Sequence, residues 1–159
     1  MNGLKASAIL VLGLSGLAGC AAMADSDVDA SQEVGVLMSS QYCGFTAPGL
    51  VLATDRSQWA QLSSASGGSL PPWPEEAGQW LLVANLGQKP TGGHRIDFKS
   101  ASRTDRNLSI EVAVRQPAAD AMVTQALTTP CLVMVLPAGG WDTVTVEGAE
   151  PFPVTRQHP

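Results

Sequence analysis

Leu108-Ser109-Ile110-Glu111-Val112-Ala113-Val114-Arg115 sets large apolar residues at every second position and polar or small ones between them. A period of two places all four large side chains on one face of an extended chain, which is the pattern of a half-buried strand. Arg95-Ile96-Asp97-Phe98-Lys99 alternates in the same way. Gln79–Leu86 and Cys131–Leu136 are almost continuously apolar, so they read as strands buried on both faces. Shorter runs at Val34–Met38, Tyr42–Phe45, Gly49–Ala53 and around Val144 and Val146 extend the strand content. Met122–Leu127 reads as either a strand or an irregular crossing. Thr54 or Asp55 can cap a helix over Arg56–Ser64 that sets Trp59 and Leu62 on one face. Pro71-Pro72-Trp73-Pro74, Arg103–Asn107 and Gln116–Asp120 interrupt the pattern as loops and turns. The prediction is an all-β fold, mainly an antiparallel sandwich or barrel-like sheet, with a short helical insertion.

The start of the chain carries a different signal. Lys5 precedes an apolar run that ends in Leu17-Ala18-Gly19-Cys20. The run is too short to span a bilayer, which takes about 20 residues. It reads as a secretory signal peptide over 1–19. Its ending resembles the bacterial lipobox, which implies cleavage before Cys20 and lipid attachment to that cysteine. Ala21 and Ala22 stand where inner-membrane retention signals often place Asp, which points to the outer membrane, facing the periplasm. Residues 20–33 are rich in Ala, Ser and Asp and read as a lipidated tether. One domain is expected over 34–149, followed by a loose tail over 150–159. With Cys20 lipidated, Cys43 and Cys131 remain in an oxidising compartment, where a disulfide between them is the simplest expectation. A reactive thiol would need a base and an electropositive setting that the sequence does not supply.

Composition removes several functions. The formal net charge is −5, and it becomes one unit more negative once Lys5 leaves with the signal peptide. Basic residues are scattered, so there is no stripe for a nucleic acid. Only His94 and His158 are histidines, and neither Asp25-Ser26-Asp27-Val28-Asp29 nor Glu75-Glu76 has one nearby. No metal site and no cofactor are therefore expected. No Gly-x-Ser-x-Gly elbow, phosphate loop or dinucleotide fingerprint is present. The expectation is a protein without catalytic residues.

Between two apolar runs lies Leu86-Gly87-Gln88-Lys89-Pro90-Thr91-Gly92-Gly93-His94. Pro90 fixes its own φ, and the glycines permit a left-handed turn. Turn chemistry reads this as a hairpin loop. As a conspicuous loop on a β scaffold, Lys89, Pro90, Thr91, Gly92, Gly93 and His94 are also the candidate protein-binding residues. Together with Gln125-Ala126-Leu127-Thr128-Thr129-Pro130-Cys131-Leu132-Val133, the block resembles the C-terminal domain of the protease-complex subunit PrcB family, over about Leu81 to Leu136. The resemblance implies an all-β envelope domain of a lipoprotein that associates with and stabilises a surface protease without being a catalyst. The family often carries Tyr where this chain has His94, which speaks against His94 as an inherited base. Lys89-Pro90-Thr91-Gly92-Gly93-His94 is also similar to an inhibitory loop of chagasin-like cysteine-protease inhibitors, and Gly139-Gly140-Trp141 could imitate a second such loop. The inhibitors' Arg-Pro-aromatic element has no counterpart. The expected partner is a protein, either a protease or another secreted protein. It would be met by the loop, with Gly139-Gly140-Trp141 as a neighbouring turn, or by strand addition at a sheet edge.

Overall fold

The computed structural model describes residues 27–159. The expected signal peptide and lipidated Cys20 lie outside the described residues. Nine strands and one helix follow in the order β1 (Val28–Asp29), β2 (Gly35–Ser40), β3 (Gly49–Ala53), α1 (Arg56–Ala65), β4 (Gln79–Asn85), β5 (Arg95–Thr104), β6 (Asn107–Arg115), β7 (Cys131–Pro137), β8 (Thr143–Glu147) and β9 (Val154–Gln157). They form a five-stranded sheet, β1-β5-β6-β8-β9, packed on a four-stranded sheet, β2-β7-β4-β3. The fold is an all-β sandwich with one helix, as the alternation predicts. Every pairing is antiparallel except β6 with β8. The chain leaves β6, visits the other sheet as β7 and returns as β8, so those two strands run in the same direction.

Burial follows the pattern in the sequence. Leu108, Ile110 and Val112 of β6 point into the sandwich beside Ile96, Leu82, Ala84, Leu132, Met134 and Leu136. The opposite faces of β4 and β7 are also buried, through Leu81, Val83, Cys131 and Val133. Trp59 of α1 and the following loop form a third layer over them. Asp55 caps α1 by accepting from the Gln58 amide at 2.9 Å, and the Trp59 indole donates to the Pro71 carbonyl at 2.8 Å. The Cys43–Cys131 disulfide joins residues 88 apart in sequence and closes this layer onto β7. The expected pairing is present.

Several expectations change. The polar turn narrows to Asp105-Arg106, with Asp105 at φ 54°, because β5 and β6 pair out to Thr104 and Asn107. Tyr42–Phe45 is not a strand; Tyr42 makes a single bridge to Thr129. Residues 122–127 form an irregular crossing. The expected tether is ordered from Asp27: Val28 and Asp29 pair with Arg103 and Ser102 of β5, and the Ala30 amide donates to the Ala101 carbonyl at 2.9 Å. The expected loose tail instead supplies β9, paired with β8, and Phe152 is buried in the main core. His158 packs against Trp80 and Trp141, each at a ring-centroid separation of 4.7 Å. Backbone pairing and one buried aromatic ring hold this segment despite its prolines.

The corners of the sandwich are bridged by side chains. The Ser39 hydroxyl on β2 donates to the Ile96 carbonyl on β5 at 2.9 Å. At the other side, Arg156 on β9 donates through Nε and Nη2 to the Leu50 carbonyl on β3.

Candidate binding site

The motif loop is not a hairpin. It leaves β4 in the four-stranded sheet and enters β5 in the five-stranded one, so it crosses one end of the sandwich. A crossing of this kind needs its backbone groups satisfied without a strand partner. The Gly87 amide donates to Asn85 Oδ1 at 3.2 Å, and the Gln88 amide to the Thr46 carbonyl at 3.0 Å. Lys89 exchanges two backbone hydrogen bonds with Thr128, at 2.8 and 2.9 Å. The buried Thr128 hydroxyl donates to the Thr91 carbonyl at 2.8 Å. Gly92 donates to the Thr124 carbonyl at 2.9 Å, and Gly93 to Gln41 Oε1 at 3.1 Å.

These bonds separate the roles of the loop residues. Gly92 is buried, Lys89, Thr91 and His94 are half-buried, and Pro90 and Gly93 are exposed. Gly87 has φ +68°, and a Cβ there would stand 2.8 Å from the Pro48 nitrogen. Gly93 has φ +84°, and its Cβ would meet Pro117 and Val123 at 3.0 Å. Both glycines are required by backbone shape. His94 keeps Nδ1 buried without a hydrogen-bond partner. Burial, aided by the nearby Lys89 ammonium, lowers its proton affinity below that of an ordinary histidine.

The same end of the sandwich exposes apolar side chains that loop chemistry did not single out. Tyr42 is 55% exposed, Leu127 63% and Met122 fully exposed. They belong to the two segments that brace the loop, through the Tyr42–Thr129 bridge and the Lys89–Thr128 pair. A shallow pocket of about 250 Å³ beside them is lined by Ser39, Ser40, Gln41, Tyr42 and Arg95. Among the described residues, no group of three or more His, Cys, Asp or Glu side chains could hold a metal ion.

The second glycine turn does not join this surface. Asn85 at the end of β4 is level with Cys131, whereas Pro137 is level with Gln79. Gly139-Gly140-Trp141 therefore lies at the opposite end, about 20 Å away along a seven-residue strand. Trp141 is fully buried, and its indole donates to the Pro137 carbonyl at 2.7 Å. The two loops cannot form one inhibitory edge of the chagasin type, and Gly139-Gly140-Trp141 is no part of the candidate interface.

The two blocks of sequence that carry the family likeness are thus direct hydrogen-bonding partners, in one unit from β4 to β7. Residues 81–137 match the family model described as PrcB C-terminal. The PrcB family resemblance read from the Gly-x-Lys-Pro-Thr-Gly-Gly block is shown for this segment. The match starts inside β4 and ends with β7, so it spans both sheets, the motif loop and its 116–130 brace. The disulfide enters it at Cys131, while α1, β8 and β9 lie outside it. No curated protein and no solved structure matches the chain.

Proposed function

We propose that the protein is a non-catalytic accessory subunit of the bacterial cell envelope that binds and stabilises another protein, a secreted or surface protease. The match to the PrcB C-terminal model supports a place in a protease complex. The observation that carries the binding reading is the braced end of the sandwich, where a crossing loop with satisfied backbone groups sits beside exposed Tyr42, Met122 and Leu127. Rigid loops flanked by aromatic and long apolar side chains are suited to protein contact, because little conformational entropy is lost on binding. Lipid on Cys20 holds the protein at the outer membrane, facing the periplasm, as the lipobox ending suggests.

Affinity capture from crosslinked envelopes tests the interface. Tyr42→Asp with Leu127→Asp changes two exposed side chains, and circular dichroism with a thermal melt checks that the variant is folded. Loss of the captured partner supports the reading; equal capture by both proteins refutes it. Labelled palmitate that persists on the Cys20→Ala protein would refute the anchor.

A further inference from the structure

We infer that the outer edge of β3 is a docking slot for an extended segment of a partner polypeptide carrying a carboxylate next to apolar residues. The inference rests on the reading of the protein as a binder of other proteins, and it names a second contact surface and its ligand chemistry.

β3 is the last strand of its sheet and pairs only with β4. Residues of an antiparallel strand turn both backbone groups alternately toward one neighbour and away from it. The Leu50 carbonyl faces away from β4, because it accepts from Arg156 on β9. Leu52, two residues on, faces the same way. Two ends of this edge are already closed: Arg156 occupies the Leu50 carbonyl, and Gln58 Oε1 accepts from the Thr54 amide at 3.1 Å. Between them, the same alternation turns the Leu50 amide and both backbone groups of Leu52 away from β4, toward the open edge.

The space along this edge is open. Hollows of about 370, 450 and 420 Å³ follow one another beside β3, joined through Leu50, Val51 and Leu52. A strand laid against Leu52 would send alternate side chains toward α1, at Leu62 and Ala65, and toward Arg156. No Asp or Glu side chain lines any of the three hollows. Arg95, Arg103, Arg106, Arg115 and Lys99 each pair with a carboxylate, whereas Arg56, Lys89 and Arg156 form no ion pair among the described residues, and of these three only Arg156 lines the hollows along β3. Pro159 also lines the second hollow but makes no ion pair with Arg156, so the guanidinium beside Leu52 is left to be complemented by a carboxylate on the ligand.

The slot is also well placed. Its first hollow includes Thr46 and Pro48, and the Thr46 carbonyl accepts from Gln88 of the motif loop. A segment lying along β3 therefore leads toward the braced end of the sandwich. The described chain begins at β1, on the edge of the five-stranded sheet remote from β9 and its neighbour β3.

The probe is an acetylated peptide, Thr-Val-Thr-Val-Glu-Val, compared with its Lys-for-Glu analogue and with a form N-methylated at alternate residues. Binding to the isotope-labelled full chain is followed by amide shifts and hydrogen exchange. The expected result is slowed exchange at Leu50 and Leu52, about tenfold tighter binding of the Glu peptide than the Lys peptide, and loss of that preference in Arg156→Gln. The N-methylated peptide, which cannot extend a sheet, should not bind. Absence of binding at about 1 mM peptide would overturn the proposal. So would shifts confined to Tyr42 and Lys89–His94, or protection of Leu52 that grows with protein concentration alone, which would make a second copy the occupant. Tyr42→Asp with Leu127→Asp should leave peptide binding intact, so failure of the loop interface and failure of this slot are read separately.

Discussion

Replacing the three glycines of the motif block one at a time separates a structural requirement from an interface. Gly87→Ala forces an L-residue to φ +68° and places its Cβ 2.8 Å from the Pro48 nitrogen and 2.9 Å from the Thr46 carbonyl oxygen. The left-handed conformation costs roughly 1–2 kcal/mol. Displacing a packed neighbour costs a further 1–3 kcal/mol or so, and here that neighbour is backbone, which cannot rotate away. The expected loss is therefore about 2–5 kcal/mol. Gly92→Ala adds a Cβ at 3.4 Å from Gln41 Oε1 and 3.5 Å from Thr124 Cβ, with no left-handed backbone, and its amide keeps the bond to Thr124. Its effect should stay within about 0.5 kcal/mol, because slight crowding is offset by the reduced freedom of the unfolded chain. Gly93→Ala should fall between them, since the groups it meets are side chains of Pro117 and Val123. In urea melts, Gly87→Ala should move the midpoint down by about 1–2 M and Gly92→Ala hardly at all. Equal losses for Gly87→Ala and Gly92→Ala would refute the assignment of the block's glycines to backbone geometry.

Other expectations follow from particular contacts. Thr128→Val keeps the side-chain shape but leaves the Thr91 carbonyl without its donor, so it should cost about 1–2 kcal/mol. Thr128→Ser should retain slow amide exchange at Lys89 and Gly92, and faster exchange in that variant would exclude the hydroxyl as the brace. Removing the disulfide with Cys43→Ala and Cys131→Ala releases a constraint between residues 88 apart, worth up to about 4–5 kcal/mol on chain entropy. A denaturation midpoint unchanged by reduction would contradict that. At Asp97, burial raises the pKa, but hydrogen bonds and charge from Arg115 and Arg95 outweigh it and hold the carboxyl below its ordinary 3.8. Its stabilising contribution is thus complete above that value and is lost as the pH falls through the lower folded value. Asp97→Asn should flatten this part of the acid unfolding curve; an unchanged acid limb would show that the Arg95–Asp97–Arg115 cluster does not contribute.

Strands β2 to β8 and helix α1 are legible in local pattern, because period-two alternation and an Asp55 cap act within a few residues, whereas β1 and β9 are not and Tyr42–Phe45 is a false strand. The disulfide expected between Cys43 and Cys131 is present, and the motif loop stands out by its density of turn formers. What those signals lack is neighbourhood. Alternation marks a buried face without saying which strand lies beside it. Hence neither the crossing of Leu86–His94 between sheets nor the parallel β6–β8 pair was evident. Gly139-Gly140-Trp141 looked like a partner of the motif loop until strand direction put them at opposite ends. Residues 27–33 read as loose because they carry few large apolar side chains, and 150–159 because of its prolines. They are ordered chiefly by backbone hydrogen bonds to β5 and β8, and every non-proline residue offers that donor and acceptor whatever its side chain. For the same reason Arg156 gave no sign of its position at the edge of β3, which only the packing of the two sheets decides.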